Sequence, residues 1–599
     1  MPTLLSPGVA VVESDFSQII PSVSSSVGAM VGRFTMGPIN TPILISSEDQ
    51  LVSVFGYPND TNANDWHTVA EFLKYTSACY VVRSSGANVS NANSLAATTV
   101  VVKNRADYED ILGATQTAAG AFIAKNPGIS GNGLMVIAVD AGSWSLFQAW
   151  NTANIAKFPN GVGLDKYFNG APSTSSYVAG LTTDSTPKVD ELHVLVVDSL
   201  GLITGTPYTI LEKFEGLSKA SDAVNYQGLT TYYVNVINEE SGYVWWSKHA
   251  LETVASSTII ATGSTGYDVA GTGKSFAALA VASTTFQLST LSGALAGTAS
   301  SLAEVQSAYD TLVNKDLYTI DLVMCGAFSV GTAGLLEKYV LENVVSVRKD
   351  CVAFVSPHTV GAPIKDSATA ATTVAAFKTS VSVSDTIGSY GFMDTGMKYL
   401  FDRYSKKYRY VPMNGDMAGL AARTDSTNDA WWSFGGFNRG GIKNVIKFSY
   451  NPNQTDRDVL YPKGINPCIM DPSSGPTLLG DRTMSTKPSA FDRINVRRLF
   501  ILLERAVSKS VKYQLFEFND NFTRSQFKNM VEPFLKTIQG KRGITEYLVR
   551  CDASNNTADI VDRNEFVAEI YVKPARSINF ITLAFVATRS DVQFSTLFA

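Results

Sequence analysis

"SAFDRINVRRLFILLERAVSKS", residues 489–510, opens with Ser489 and Asp492 in the S-x-x-D spacing of a capping box. Apolar residues then recur at Val496, Leu499, Phe500, Leu503 and Val507, the period of one helix face. Away from that face stand Arg497, Arg498, Arg505, Lys509 and Lys512, with Glu504 as the main acidic interruption. A strand-like "YQLFEF" (513–518) follows. A second helical period runs through Phe527, Met530, Val531, Phe534, Leu535 and Ile538, and Gly540 is expected to stop it as a C′ residue. Pro533 predicts a kink or a late start inside it. Further on, Phe566, Ala568, Ile570 and Val572 share one side, with Glu565, Glu569 and Lys573 on the other, as in a half-buried strand. "INFITLAFVA" (578–587) is apolar on both faces and reads as a central strand. The whole stretch is one compact α+β unit.

Working outward, 599 residues exceed one core and suggest roughly four domains at ~150 residues each. Hydrophobic residues make up 45% and charged residues 17%, a folded composition; the net charge of −5 leaves no basic footprint for nucleic acid. Cys79, Cys325, Cys351, Cys468 and Cys551 include no C-x-x-C pair, which argues against a disulfide framework and against a zinc site. Three of them (Cys79, Cys325, Cys351) lie in apolar runs and are expected to be buried as small hydrophobes. The first residues lack a basic region followed by a long apolar one. The longest apolar runs, about ten residues, fall short of the ~20 that span a bilayer. Synthesis and folding in a cytoplasm are the expectation.

Residues 1–20 carry a short apolar strand, Val9, Val11 and Glu13 among its residues, with no obvious local partner. On the residues alone it reads as an edge strand of the chain's own sheet. From residue 27 to 83 the pattern is strand, turn, strand, helix, strand, with a helix start near Ser47, a stop at Gly56 and Pro58, and a buried run "ACYVVR". Residues 84–100 read as a linker. The series "NPGISGNGLMVIAVD", "ELHVLVVD", "PYTILEKFEGLS" and "TYYVNVINEESGYVWW" is strand-rich, and 255–302, nearly free of charge, reads as a long surface hairpin or loop. From residue 302 a helix, a strand at 318–328, a helix at 334–349 and a strand at 350–358 form a βαβ unit expected beside the Val81 strand. The fold class is therefore multidomain α+β and α/β, with boundaries at 1–20 (arm), 21–88 with 310–485 (discontinuous α/β domain), 89–309 (inserted β-rich domain) and 486–599 (C-terminal α+β domain).

Catalytic signatures fail on inspection. "GTGKS" (271–275) has Asp268 where a phosphate-binding loop needs its first glycine, so nucleotide binding through Lys274 is the weak reading. His67, His193, His249 and His358 stand in no metal-binding frame, and "GISGNG" misses the nucleophile elbow at Asn132. Glu239 and Glu240 are adjacent and read as a solvated face. No catalytic residue, cofactor site or metal site is expected. Residues 415–441 cluster glycines around Trp431 and Trp432, just ahead of Asn438 and Arg439. A packed internal loop and an exposed assembly contact both suit that composition.

"FDRINVRRLF", "VDRNEFVAEIYVKPARSINFITLAFVA", "GDMAGLAARTD" and "GFNRGGIKNVIK" resemble the C-terminal half of tail sheath proteins of contractile-tailed bacteriophages, and "LLSPGVAVVESDFS" resembles their N-terminal arm. Two departures are Asn126, where the family's insert entry has tyrosine, and Phe434-Gly435-Gly436-Phe437 ahead of Asn438-Arg439-Gly440. The resemblance implies a structural virion protein that polymerises as stacked hexameric rings around a tail tube. It also implies rigid-body domain rearrangement on contraction, driving the tube through the host envelope for genome ejection. Strands would be exchanged between subunits through Val9, Val11, Glu13, Phe566, Ile570, Phe580, Leu583 and Phe585. Arg497, Arg498, Arg505, Lys509 and Lys512 would face the tube, and Trp431, Trp432, Asn438 and Arg439 would form an assembly loop. The implied partners are the chain itself, the tube protein, and the baseplate and tail terminator proteins. Neither nucleic-acid contact nor membrane insertion is implied. The location would be the virion tail, after assembly in the bacterial cytoplasm. The family's outermost domain has no evident room here. The sheath of a non-virion contractile injection particle is the alternative within the same architecture.

Overall fold

The computed structural model describes residues 26–110, 119–181, 189–248, 286–328, 331–577 and 579. The expected exchange residues Val9, Val11, Glu13, Phe580, Leu583 and Phe585 lie outside them, as do Lys274 and His249.

A six-stranded sheet forms the centre, in the order Gly391–Met393, Val352–Val355, Leu322–Met324, Gly28–Gly32, Cys79–Arg83, Ile43–Ile45. All pairings are parallel except that of the Ile43–Ile45 edge strand. Two distant stretches of sequence thus build one sheet. The strand near residue 322 lies one place from the Val81 strand rather than beside it, because Gly28–Gly32 pairs with both, Gly28 opposite Leu322 on one side and Cys79 on the other. Runs such as Leu322–Met324 and Val352–Val355 are wholly buried, as strands covered on both faces must be. Close approach of the flanking helices depends on glycine. A Cβ on Gly28 would lie 2.5 Å from the Phe72 ring of helix Ala63–Leu73. Helix Asn414–Thr427 packs on the same helix, and a Cβ on Gly415 would lie 2.2 Å from the Thr68 carbonyl oxygen. Part of the glycine cluster read around the tryptophans therefore serves helix packing.

Residues 89–309 carry a second sheet, antiparallel, in the order Thr209–Ser218, Glu191–Asp198, Leu134–Asp140, Gln287–Thr290. Two expectations change here. The last eight residues of "TYYVNVINEE" (231–240) form helix Tyr233–Glu240, because Tyr233, Val236 and Ile237 share a buried helical face that its β-branched content hides. Part of the charge-poor stretch, Gln287–Thr290, is an edge strand of this sheet.

The C-terminal unit has helices Ile494–Val511 and Asn521–Gly540 and the antiparallel strands Ile544–Arg550 and Glu569–Pro574. Its local signals differ from the expectation at four points. Ser489 caps a short 3-10 turn, its hydroxyl accepting from the Phe491 N–H, while the long helix begins at Ile494. "YQLFEF" is no strand: a 3-10 turn Lys512–Gln514 leads into irregular chain with Phe516 at φ 73°. The second helix starts at Asn521, capped by Asp520 accepting from the Thr523 N–H at 2.8 Å, and runs on through Pro533. Arg542, not Gly540, takes the left-handed conformation after it.

Candidate functional site

Helix Ile494–Val511 is tied to both ends of the described chain. Arg493, its N-cap, places Nη1 3.3 Å from Asp481 Oδ1 and donates to the Tyr461 hydroxyl at 3.0 Å. Buried Asp481 also accepts from the Ser577 hydroxyl at 2.6 Å and from Asn579 Nδ2 at 3.0 Å, so it pins the chain as it leaves the last described strand. Twelve residues on, about 18 Å along the axis, Arg505 pairs with Asp321 and donates to the Asp350 and Ile320 carbonyls at 2.6 and 3.1 Å. Asp321 Oδ2 accepts from the Val27 N–H at 3.0 Å, where the described chain begins. Burial raises the Asp321 carboxyl's affinity for a proton, and Arg505 opposes it. One helix therefore fixes the separation of the two ends of the described chain.

Two further arginines of this helix turn inward. Arg497 lies between the Tyr390 and Phe491 rings, 4.1 and 3.8 Å from their centroids, and donates to the Ser389 hydroxyl at 2.6 Å. Arg498 pairs with Asp425 of helix Asn414–Thr427. Leu499, Leu503 and Ala506 meanwhile enter the C-terminal core. Both faces of the helix are thus occupied within one copy.

The loop after Thr427 is a clasp between the same two regions. Trp431 is buried in the C-terminal core, its Nε1 donating to the Lys541 carbonyl at 3.3 Å and its own carbonyl accepting from Asn495. Arg439 lies over the Trp432 ring at 5.0 Å and donates to the Ser433 carbonyl at 2.6 Å, while Asn438 is exposed.

The C-terminal strand pair is asymmetric. Its inner side rests on the helices: Val549 is buried, Ile570 and Val572 are partly buried, and Phe527 meets Phe566 edge-on at 5.6 Å. Its outer side carries an apolar pair, Leu548 and Tyr571, between two ion pairs, Lys573–Glu546 at 3.0 Å and Arg550–Glu569 at 3.4 Å. Among the described residues this sheet has two strands and two unpaired edges. Phe566 precedes the strand, which starts at Glu569; Asn556 holds the approach through two 2.8 Å bonds with Val567.

Three family models cover these elements: the tail sheath protein Gp18 domain III N-terminal region on residues 26–83, the phage tail sheath protein central domain on 332–484, and the phage tail sheath C-terminal domain on 486–588. The tail sheath protein of Vibrio phage KVP40 is 31% identical over 99% of this chain and 100% of its own length. This chain belongs to the tail sheath protein family. The sheath protein of Enterobacteria phage T4 is 30% identical over 99% of both chains. A crystal structure of a sheath tail protein from Listeria innocua shares the fold, with a TM-score of 0.51 and 10% identity over 92% of this chain and 96% of that one. The sheath protein is accordingly a structural, self-associating component of a contractile tail and not an enzyme.

In the sheath chain the five basic residues read as one surface separate. Arg497, Arg498 and Arg505 serve internal contacts, and only Lys509 and Lys512 are exposed. Their carboxylate and hydroxyl partners, Asp425, Asp321 and Ser389, come from segments far away in sequence, which helical periodicity cannot register. Trp431 is buried in the C-terminal core and Trp432 is half-buried against it. All five cysteines are buried and free. His358 Nε2 lies 3.0 Å from Glu337 and His67 Nε2 3.5 Å from Asp402, and no group of three metal-binding side chains occurs among the described residues. No described helix is long and apolar enough to cross a membrane.

One polar feature escaped the sequence reading altogether. Lys398, fully buried, donates to Glu71 and Asp416 at 2.8 Å each and to the Lys443 carbonyl at 2.9 Å. Tyr75 adds its hydroxyl to Asp416 at 3.1 Å. This network joins helices Ala63–Leu73 and Asn414–Thr427 to the strand Met397–Asp402. Glu71 lies 327 residues before Lys398 and Asp416 lies 18 after it, spacings that leave no motif.

Proposed function

We propose that the sheath chain polymerises as six-membered rings stacked helically around a tail tube, and that terminal strands exchanged between copies hold the rings together. The observation that carries this is the two-stranded C-terminal sheet, whose both edges lack a partner among the described residues, beside chain ends pinned at Asp481 and Asp321. An isolated strand pair is marginal in water, and added strands complete it. The N-terminal segment with Val9, Val11 and Glu13 and the C-terminal run with Phe580, Leu583 and Phe585 are the strands given, received beside Ile570. About five backbone hydrogen bonds at ~1 kcal/mol net each make a tether that bends without parting.

The units that move are the four read from the sequence: the 1–20 arm, residues 21–88 with 310–485, the 89–309 insert, and 486–599. Contraction rotates these bodies into tighter packing, driven by burial of surface between copies, without nucleotide. Lys509 and Lys512 are the basic groups left to meet an acidic tube surface, and Asn438 an exposed point of the assembly loop. Baseplate and tail terminator proteins bound the polymer. The particle is a virion that matures in the host cytoplasm and ejects its genome through the tube, a choice favoured by full-length relatives from phages at 30–31% identity.

Electron microscopy of the purified chain, with and without residues 1–20, tests the reading. Rings or striated tubes are expected from the full chain and monomers from the truncated one. A full chain that stays monomeric at high concentration overturns it.

A further inference from the structure

Three charged side chains of the central region meet out of reach of water: Lys398 and Asp416 are fully buried and Glu71 is 1% exposed. Lys398 Nζ lies 2.8 Å from Asp416 Oδ1 and 2.8 Å from Glu71 Oε2, so one amine touches two carboxyl groups at once. The two oxygens of Asp416 are not equivalent. Oδ1 also accepts from the Tyr75 hydroxyl at 3.1 Å, and that hydroxyl is oriented by the Lys443 N–H, which donates to it at 2.8 Å. Oδ2 is buried with no hydrogen-bond partner among the described residues. A carboxylate kept only as half of an ion pair gains nothing from leaving one oxygen in that state. A carboxyl group that is to lose an oxygen needs no bond to hold it.

We propose that the folded chain joins Lys398 to Asp416 by an amide between Nζ and Cγ, with Glu71 carrying the proton and one water released. Contact at this range replaces a chance encounter with a fixed one, and a buried lysine is a nucleophile once it loses its proton. Burial pushes the Asp416 carboxyl towards its protonated form, against the pull of Lys398. Burial also disfavours the Lys398 ammonium, while the two carboxyl groups hold its proton. The reacting state therefore has Asp416 as the neutral acid, Glu71 as the carboxylate and Lys398 as the ammonium, with no net charge among them. Glu71 takes one proton from Lys398. The freed Nζ lone pair attacks Cγ, a C–N bond forms, and the C=O pair moves onto Oδ1, where the Tyr75 O–H meets it. Collapse restores the Oδ1 carbonyl and breaks the bond from Cγ to Oδ2. Oδ2 leaves as water, with its own proton and one from Nζ passed on by Glu71. Glu71 ends holding the proton it first took, and the one proton left on Nζ has the Lys443 carbonyl, 2.9 Å from Nζ, to receive it. Reversal needs water at a site that excludes it. The link spans 18 residues and ties strand Met397–Asp402 to helix Asn414–Thr427, which leads into the Trp431 clasp. It braces one copy from within and does not depend on how copies associate.

Mass spectrometry of the full chain, purified folded and then denatured, tests this. The chain is expected to be lighter than its sequence by one water. Its tryptic digest should contain peptide 379–403, uncut at Lys398, joined to peptide 410–423. Hydroxylamine should leave the joined pair intact, as it leaves an ordinary amide, whereas it opens a cyclic imide formed at an aspartate. A wild-type chain that keeps its full mass after prolonged incubation in the folded state overturns the proposal, and so does a loss of water without the joined peptides. Glu71→Gln keeps the shape of the side chain and removes the proton carrier, so the yield of joined peptides should fall by at least about tenfold. Joining at the wild-type yield in that variant also overturns the proposal. If Glu71→Gln does not fold, the wild-type digest decides alone.

Discussion

The central sheet and the C-terminal strand pair are both β-structure on helices, yet among the described residues the first is covered on both faces and the second is open at both edges. In the six-stranded sheet Met30, Val81, Val323 and Phe354 are fully buried by helices of the same chain. In the strand pair, Leu548 and Tyr571 are 59% and 52% exposed and both edges lack partners among the described residues. A closed core resists deformation because its packing is dense; an open sheet has unused hydrogen-bonding capacity that another chain can take up. Substitutions in the first region should therefore cost stability and those in the second assembly.

The largest effect on folding is expected at Lys398. Lys398→Met leaves Glu71 and Asp416 buried without their counter-charge, and breaking such a network costs about 3–5 kcal/mol. Urea unfolding measures it. A loss below about 1 kcal/mol would mean that the carboxylates are rescued by other partners, and the central region would lose its claim to be self-contained.

Next comes Asp394, whose carboxyl is pushed up to about 8 by burial, against hydrogen bonds from the Ser356 hydroxyl and the Gly396 N–H and with Asp416 adding to the rise. A folded-state value above the unfolded one means that the native protein holds the proton more tightly. Stability from this group is present in acid and is lost as pH rises from about 4 to 8. Asp394→Asn abolishes that slope and is expected to stabilise the protein at pH 8, relative to its effect at pH 5, by an amount on the order of a few kcal/mol. Thermal melts of both proteins across that range decide it, and parallel pH profiles refute the assignment.

The same contrast explains what the sequence made legible. The central strands announced themselves because burial on both faces leaves continuous apolar runs, as in "ACYVVR" and "CVAFV". The helices of the C-terminal unit were readable from Val496, Leu499 and Leu503 at one end and from Val531, Leu535 and Ile538 at the other. Reading failed wherever a residue answers to a distant partner. Arg498 looks solvated on its helix until Asp425 is brought to it, and Trp431 looks like an exposed anchor until Lys541 and Gly543 close over it. "YQLFEF" reads like a strand because its apolar residues are real, but among the described residues no strand pairs with them.

A smaller loss of stability, about 1–3 kcal/mol, is expected for Asp481→Ala, which removes the acceptor shared by Arg493, Ser577 and Asn579. Its clearer signature is local. Trypsin should cut after Arg576 several-fold faster than in wild type while the rest of the chain stays resistant, because the root of the C-terminal arm is freed. An unchanged cleavage rate would show that the arm is fixed by something other than this carboxylate.

The smallest effect on folding and the sharpest test of the comparison belong to Leu548→Ser. Leu548 faces outward between the Lys573–Glu546 and Arg550–Glu569 ion pairs, opposite Tyr571. In one copy its removal exposes nothing new, so the unfolding free energy should change by no more than about 0.5 kcal/mol. If the outer side of the pair is covered when strands are exchanged, the same substitution deletes apolar area from an interface repeated in every subunit, and even about 1 kcal/mol per contact raises the concentration needed for polymerisation roughly fivefold. Sedimentation of the variant beside wild type reads the second effect and chemical denaturation the first. Equal losses in both would erase the distinction between a closed and an open sheet, because they would show Leu548 supporting the fold of the single chain.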